Sequence, residues 1–267
     1  MKNTILKTNL RNNQFTLGSW ITIGHPSVAE ILCQSDFDWL TIDMEHNAID
    51  PSMMQTLISV IQSHGVAALV RVWKNDEVII KHALDAGADG IIVPMINTCK
   101  DAKKAVSYAK YPPEGCRGVG LSRAQEYGNS FEKYKEWVKE SSIVVAQIEH
   151  IDGVNNIDSI IKTPGIDGVI VGPYDLSGSL GCVGELEHDL VNNALKKVEN
   201  SCLKNKIVMG YHIVDPDPLK VKRFVEKGYK FIAYSTDFLL LNSAIKSGVG
   251  DIKSQMLSPE DNSSQNK

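Results

Sequence analysis

The chain has 267 residues, 43% hydrophobic and 22% charged, with a formal net charge of −4. That balance suits a globular protein of one large domain or two small ones. It offers neither the basic footprint of a nucleic-acid binder nor a polybasic patch for a membrane surface. No apolar run approaches membrane-spanning length, charge breaks residues 1–14 too often for a signal peptide, and the five scattered cysteines (Cys33, Cys99, Cys116, Cys182, Cys202) form no C-x-x-C. A disulfide framework or structural zinc site is therefore not expected, and a reducing, cytoplasmic setting is.

Residues 15–23 read as a first strand that turns at Gly24-His25-Pro26, and Pro26-Ser27 opens a helix through Ala29, Ile31 and Leu32. Residues 38–42 are a second strand ending in D-M-E-H-N. A helix follows from Pro51 through Met54, Leu57, Val60 and Ile61 to His64-Gly65. Residues 66–72 form a third strand carrying Arg71 at its end. Residues 76–86 form a helix closed by Gly87, 90–94 a fourth strand and 101–110 a helix. From 111 to 142 the alternation breaks into an insertion. It holds a P-P-E-G turn, the stretch G-C-R-G-V-G-L-S-R-A-Q-E-Y-G and a helix over about 130–139. Segments of this length are commonly functional or mobile. Arg117 and Arg123, set among glycines that expose backbone N–H groups, are candidates for a substrate carboxylate or phosphate.

Residues 143–148 and 168–171 are short apolar, β-branched runs, each leading to a carboxylate, Glu149 and Asp175. Val154, Ile157, Ile160 and Ile161 recur between them at helical spacing, and Pro164-Gly165 ends the helix. A strand–helix–strand unit makes its strands parallel, so both carboxylates leave the same sheet edge, where parallel α/β folds bind ligands. Gln147, two residues before Glu149, faces the same side of its strand. Two convergent carboxylates and an amide suit a hard divalent cation that keeps some of its water. The plainer alternative is two surface loop carboxylates that never meet. The rest of the chain reads as a helix over 185–205, a strand over 206–213, a helix over 215–227, a strand over 229–234 and a helix over 237–246. Eight strands alternating with helices predict an α/β fold, a (β/α)₈ TIM barrel. One domain over 1–250 carries the 111–142 insertion, and 251–267 is a polar, frayed tail. An open doubly wound sheet is the alternative; the absence of G-x-G-x-x-G after the first strand weighs against it.

In a barrel, the strand ends bring together Asp43, Glu45 and His46 from the second strand, Arg71 from the third, Gln147 and Glu149 from the fifth, Asp175 from the sixth and His212 from the seventh. A cation, a base and a cationic clamp suit chemistry that forms an enolate. An α-keto acid such as pyruvate can chelate the cation through carboxylate and keto oxygens. Arg71 can then stand near the developing enolate oxygen. Histidine is the side-chain type that titrates near neutrality when unperturbed, which makes His46 the natural base, oriented by Asp43, Glu45 or Asp85. No predicted strand points a lysine to the mouth, since Lys74 lies past the third strand and Lys230 at the start of the eighth. That favours a metal over an imine. His25, His64, His82, His150 and His188 read as structural or solvated.

The segments G-S-W, D-F-D-W-L-T-I-D-M-E-H-N, N-D-E-V-I-I-K-H-A-L-D-A-G-A-D-G-I-I-V-P-M-I-N-T, G-C-R-G-V-G-L-S-R-A-Q, Q-I-E-H and G-P-Y-D-L-S-G-S-L-G together resemble the HpcH/HpaI aldolase/citrate lyase family over about residues 18–237. The resemblance implies a barrel of the phosphoenolpyruvate/pyruvate superfamily type. It also implies a class II aldolase that reversibly cleaves a 4-hydroxy-2-oxo acid into pyruvate and an aldehyde. The kinship would be to 2,4-dihydroxyhept-2-enedioate and 2-keto-3-deoxy sugar acid aldolases, with Mg²⁺, Mn²⁺ or Co²⁺ as cofactor. By motif, it implies Glu149 and Asp175 as metal ligands, Gln147 as a pyruvate-site residue, His46 as base and Arg71 as enolate stabiliser. Asp85 and Asp43 would support His46, and the backbone at Tyr174 would meet the substrate carboxylate. Such proteins are homo-oligomers, often hexamers with an exchanged C-terminal helix, and residues 238–245 are apolar enough for that. Tyr174 departs from the small residue of many relatives, as does the lack of a proline near Val72-Trp73, which leaves the aldehyde open. The rival readings are decarboxylation, thioester cleavage (for which no basic coenzyme A patch stands out) and a non-catalytic keto-acid-binding barrel, which has no need of a base.

Overall fold

Eight parallel strands close into a barrel in chain order, with β8 returning to pair with β1. The strands are β1 (Thr16–Ile21), β2 (Trp39–Asp43), β3 (Ala67–Arg71), β4 (Gly90–Val93), β5 (Ile143–Ile148), β6 (Gly168–Val171), β7 (Val208–Ile213) and β8 (Phe231–Thr236). The structure, a computed structural model, describes residues 5–256. The helices are α1 (Ile5–Arg11), α2 (Pro26–Cys33), α3 (Pro51–Ser63), α4 (Glu77–Asp85), α5 (Cys99–Ala109), α6 (Phe131–Ser141), α7 (Ile151–Asn155), α8 (Ile157–Ile161), α9 (Pro173–Ser179), α10 (Asp189–Asn205), α11 (Pro218–Glu226) and α12 (Asp237–Met256).

The two-residue period of each strand divides the core in two. Trp20, Trp39, Leu69, Ile92, Val145, Ile170 and Phe231 belong to the cluster that fills the barrel, while Leu40, Ile42, Val70, Ile91, Val144 and Val169 pack outward under the helices. Trp39 stacks on Phe231 with centroids 4.1 Å apart. It occupies the space beside Gly18, where any Cβ would stand 2.0 Å from the indole ring, so only glycine fits there. Leu6 and Leu10 of α1 join the same interior cluster. This helix was not evident in the sequence, because its signal is two leucines among polar residues.

Histidine begins three of the helices. The imidazole Nδ1 of His25, His150 and His188 accepts a hydrogen bond from the backbone N–H of Ser27, Asp152 and Leu190, each at 3.2 Å. These rings cap exposed helix ends, where a free N–H needs an acceptor.

The structure differs from the sequence reading in several places. The single helix expected between β5 and β6 is two short ones that break at Asn156, and α9 was not expected. The long helix after β6 begins at Asp189 rather than 185. α12 continues through residues 251–256, which the sequence reading assigned to a polar tail; residues 257–267 lie outside the described residues. The reason is legible afterwards. Leu241, Ile245, Val249, Ile252 and Met256 recur at three- and four-residue spacing along one exposed face, carrying the helical period past the polar residues between them.

The insertion is ordered. A 3-10 turn over Arg123–Gly128 leads into α6, and Tyr111, Ala124, Tyr134 and Val138 form a small core of their own. It packs on the C-terminal end of α4, where the Tyr134 hydroxyl donates to Leu84 O at 3.1 Å and the Ser122 hydroxyl to Asp85 O at 2.8 Å. Helices of a β/α barrel run antiparallel to its strands, so this is the end of the barrel opposite the strand C-termini. Within the chain, the segment does not cover the strand mouth.

Candidate active site

The C-terminal strand ends surround a pocket of about 310 Å³. Asp43 and Arg71 are register partners across the β2–β3 ladder. Arg71 Nε donates to Asp43 Oδ1 at 2.8 Å and Nη2 to Oδ2 at 2.7 Å, in the two-point geometry that a planar guanidinium and a carboxylate share. Asp43 also accepts from the Glu45 N–H at 3.1 Å and from the Asn47 side chain. The guanidinium lies 4.4 Å from the Trp20 ring centroid. Burial opposes the Arg71 charge, but the Asp43 bonds and the surrounding carboxylates outweigh it and hold its pKa above the ordinary value.

Glu45 is less well served. Its Oε2 is buried without a hydrogen bond, 3.4 Å from Arg71 Nη1 and 3.8 Å from His46 Nε2. Burial pushes its carboxyl up to about 7; Arg71 pulls it down, and the charges of Glu149, Asp43 and Asp175 push it up further. His46, by contrast, stands at the rim with 60% of its side chain exposed.

Across the barrel, Gln147 and Glu149 lie at the end of β5. Glu149 Oε1 accepts the Met95 N–H at 2.7 Å, and Gln147 Nε2 donates to Oε2. Met95 presents that N–H from a left-handed backbone conformation (φ 53°). A Cβ at Gly172 would come within 2.8 Å of Glu149 Oε2, so the glycine leaves room for the carboxylate. Burial raises the Glu149 pKa and the Asp175 charge adds to it, while the Gln147 and Met95 bonds work the other way. Asp175 follows in the first turn of α9, exposed to the pocket beside the exposed Tyr174 ring. On β7, His212 lines the wall, its ring 5.3 Å from Trp20. Asp237 draws the end of β1 against β8 by accepting the N–H groups of Thr22 and Ile23 at 2.9 and 2.8 Å.

These residues fit a divalent cation. Asp43 is committed to Arg71, whereas Glu45, Glu149 and Asp175 repel one another in a mouth that has one guanidinium, and Gln147 Oε1 is buried with no partner. Among the described residues, no three His, Cys, Asp or Glu side chains converge into a closed cage. Glu149 and Asp175 are the carboxylates that could contribute oxygen to such an ion, with its remaining positions left to water and ligand, as hard cations accept.

Asp43, Glu45, His46, Arg71, Gln147, Glu149, Asp175, Tyr174 and His212 all come to this one mouth. Asp85 does not. It pairs with Arg117, whose guanidinium also touches the Tyr134 hydroxyl at 3.2 Å, at the far end of the barrel. A carboxylate at a helix C-terminus emerges opposite the strand ends, so within one chain Asp85 is not available to orient His46; Glu45 is the acid beside that ring. Arg117 and Arg123, the candidate anion binders, are likewise remote, with Arg123 donating to Gln62 Oε1 and Ala86 O, both at 3.0 Å. Among the described residues, no lysine lines the pocket. Sequence reasoning passed over Trp20, the Met95 N–H and Gly172. Trp20 was visible only as an aromatic residue at a strand end, and the other two act through backbone geometry that no side chain signals.

The sequence pattern described as HpcH/HpaI aldolase/citrate lyase matches residues 16–244. A 5-keto-4-deoxy-D-glucarate aldolase from Escherichia coli O6:H1 is 35% identical over 239 residues, 89% of this chain and 92% of that protein. A crystal structure of a HpcH/HpaI aldolase/citrate lyase family protein from Burkholderia cenocepacia J2315 superposes with a TM-score of 0.90 at 32% identity, covering 94% of this chain and all of that one. The HpcH/HpaI aldolase from Desulfitobacterium hafniense DCB-2 gives 0.85 at 31% identity, covering 93% of this chain and 96% of its own. With an open acidic mouth on a closed parallel barrel, and relatives matched along nearly their whole length, this chain is a carbon–carbon lyase and belongs to the HpcH/HpaI aldolase/citrate lyase family.

Proposed function

We propose that the protein is a class II pyruvate aldolase, cleaving a 4-hydroxy-2-oxo acid reversibly into pyruvate and an aldehyde. The observation that carries the reading is one juxtaposition. Asp175 and a guanidinium locked by Asp43 line one pocket, Glu149 lies buried just behind its wall bonded to Gln147, and His46 stands at the rim. Mg²⁺, Mn²⁺ or Co²⁺ held by Glu149 and Asp175 would supply Lewis acidity toward the 2-oxo acid.

In cleavage, the C3–C4 bond breaks. The 4-hydroxyl proton passes to His46, directly or through water, and leaves the aldehyde carbonyl. The bonding pair moves into C2–C3, and negative charge grows on the C2 oxygen. Arg71 faces that oxygen as a permanent cation which Asp43 has already oriented, so little reorganisation remains at the moment of reaction. The proton then returns to C3 and gives the methyl group of pyruvate. Gln147 and the Tyr174 backbone hold the carboxylate end.

The relatives named 5-keto-4-deoxy-D-glucarate aldolase favour a deoxy keto sugar acid as the substrate class. The exposed apolar stripe on α12 supports a homo-oligomer, a hexamer by family resemblance, and five free cysteines suit a cytoplasmic setting. The test is exchange of the pyruvate methyl protons with deuterium, followed by NMR on metal-stripped protein given magnesium, manganese or cobalt. Exchange is expected only with metal, and Glu149→Gln is expected to abolish it. No exchange with any metal, or equal exchange without one, would overturn the reading.

A further inference from the structure

His212 has a role that the mechanism above leaves unused. Its Nε2 lies 3.3 Å from the carbonyl oxygen of Ser235. A carbonyl only accepts, so Nε2 carries the hydrogen, and a neutral ring then leaves a bare lone pair on Nδ1. The ring stays neutral, since burial and the neighbouring Arg71 charge push its pKa down to about 3. Nδ1 has no hydrogen-bond partner among the described residues, yet the ring lines the pocket. Nδ1 is also absent from the atoms sealed away without a partner, unlike Trp20 Nε1 beside it.

An acceptor facing a ligand pocket asks for a donor. Pyruvate has none, because its carboxylate and keto oxygens only accept and its methyl group does neither. The donor must come from the other fragment. Val214, Phe238 and Leu239 line the same pocket, together with Thr22, Thr236 and the Arg71 guanidinium. A second carboxylate would meet a lone pair there, whereas a hydroxyl would be satisfied.

We propose that His212 determines acceptor specificity, its Nδ1 receiving a hydrogen bond from a hydroxyl of the aldehyde fragment. The proposal rests on the aldolase reading and narrows the substrate to a class whose aldehyde half carries a hydroxyl.

The metal-loaded enzyme is assayed for addition of pyruvate to glyceraldehyde and to propanal, in wild type and in His212→Leu. Comparing the ratio of kcat/KM values between the two proteins cancels the different reactivity of the aldehydes. The preference for glyceraldehyde is expected to fall about tenfold in His212→Leu, the scale of one hydrogen bond that leaves a buried group unpaired when lost. Exchange of pyruvate protons is expected to stay within about threefold, since the enolate half does not involve the ring. An unchanged preference, or a collapse of exchange in the variant alone, would overturn the proposal. Should His212→Leu fail to fold, His212→Asn, which retains an acceptor oxygen, is expected to keep most of the preference, and an Asn variant with none overturns it. A second readout needs no turnover. In wild type with ¹⁵N-labelled histidine, the Nδ1 resonance of His212 is expected to move on addition of glyceraldehyde but not of pyruvate or propanal, and an unmoved resonance is equally fatal. Absence of proton exchange in wild type would instead defeat the aldolase reading, and the imidazole resonance would still decide the role of His212.

Discussion

Asp43 holds Arg71 by both of its oxygens, at 2.8 and 2.7 Å, because the two residues are partners in register across adjacent strands. The pair is nearly buried, with side chains 4% and 12% exposed. The carboxylate thus uses the Nε–Nη2 edge of the guanidinium and leaves Nη1, 3.4 Å from Glu45, toward the pocket. Orientation of the cation is built into strand pairing and does not wait for substrate.

Removing Asp43 should therefore cost both stability and rate. Breaking a buried ion pair leaves the remaining charge uncompensated, at about 3–5 kcal/mol. Asp43→Ala is expected to lower the urea midpoint accordingly and to reduce kcat at least tenfold. A midpoint equal to wild type would show that Glu45 and Trp20 suffice to hold Arg71.

His46 predicts the opposite separation. Its ring is largely exposed, so His46→Ala should leave stability within about 0.5 kcal/mol of wild type. Loss of a general base should still cost on the order of a hundredfold in cleavage rate. A rate within a few-fold of wild type would remove His46 from the proposed mechanism.

Glu45 makes a prediction about pH. Its folded-state pKa of about 7 lies above the ordinary glutamate value of 4.5, so the folded protein holds the proton more tightly than the unfolded chain. The stabilising contribution is complete below pH 4.5 and is lost as pH rises through 7. Glu45→Gln mimics the protonated form. In metal-free protein it should therefore be more stable than wild type at pH 8 by roughly 1–3 kcal/mol, with the difference vanishing toward pH 5. Chemical denaturation at the two pH values reads this directly, and a constant difference would mean that the Glu45 carboxyl titrates in its ordinary range.

The apolar stripe of α12 bears on assembly. Leu241 and Ile245 are 55% and 54% exposed and do not line the pocket, unlike Phe238 and Leu239. Contiguous exposed apolar faces mark association surfaces. Sedimentation should find wild type larger than a monomer, and Leu241→Glu with Ile245→Glu should yield monomers. A wild-type monomer would leave the stripe without that role.

Much of this molecule was legible in one dimension. Alternating periods of two and 3.6 residues marked all eight strands and most helices, because the side chains that fill a barrel must repeat with the geometry of the backbone. The same rule put Asp43, Arg71, Gln147 and Glu149 at strand ends, and parallel strands share one mouth. Contacts that depend on how distant segments meet had no such signature. Asp85 was read as a neighbour of His46 and instead closes on Arg117, since direction along a helix decides which end of the barrel a side chain reaches. The insertion read as a functional or mobile segment, and it is a buttress packed on the C-terminal end of α4. His212 was one polar residue among several until the Ser235 carbonyl, 23 positions away, assigned its hydrogen. Local period and strand direction are properties of the chain itself. Partner choice, tautomer and the burial that moves a pKa arise only when residues far apart in sequence exclude water from one another, and those the tertiary structure alone decides.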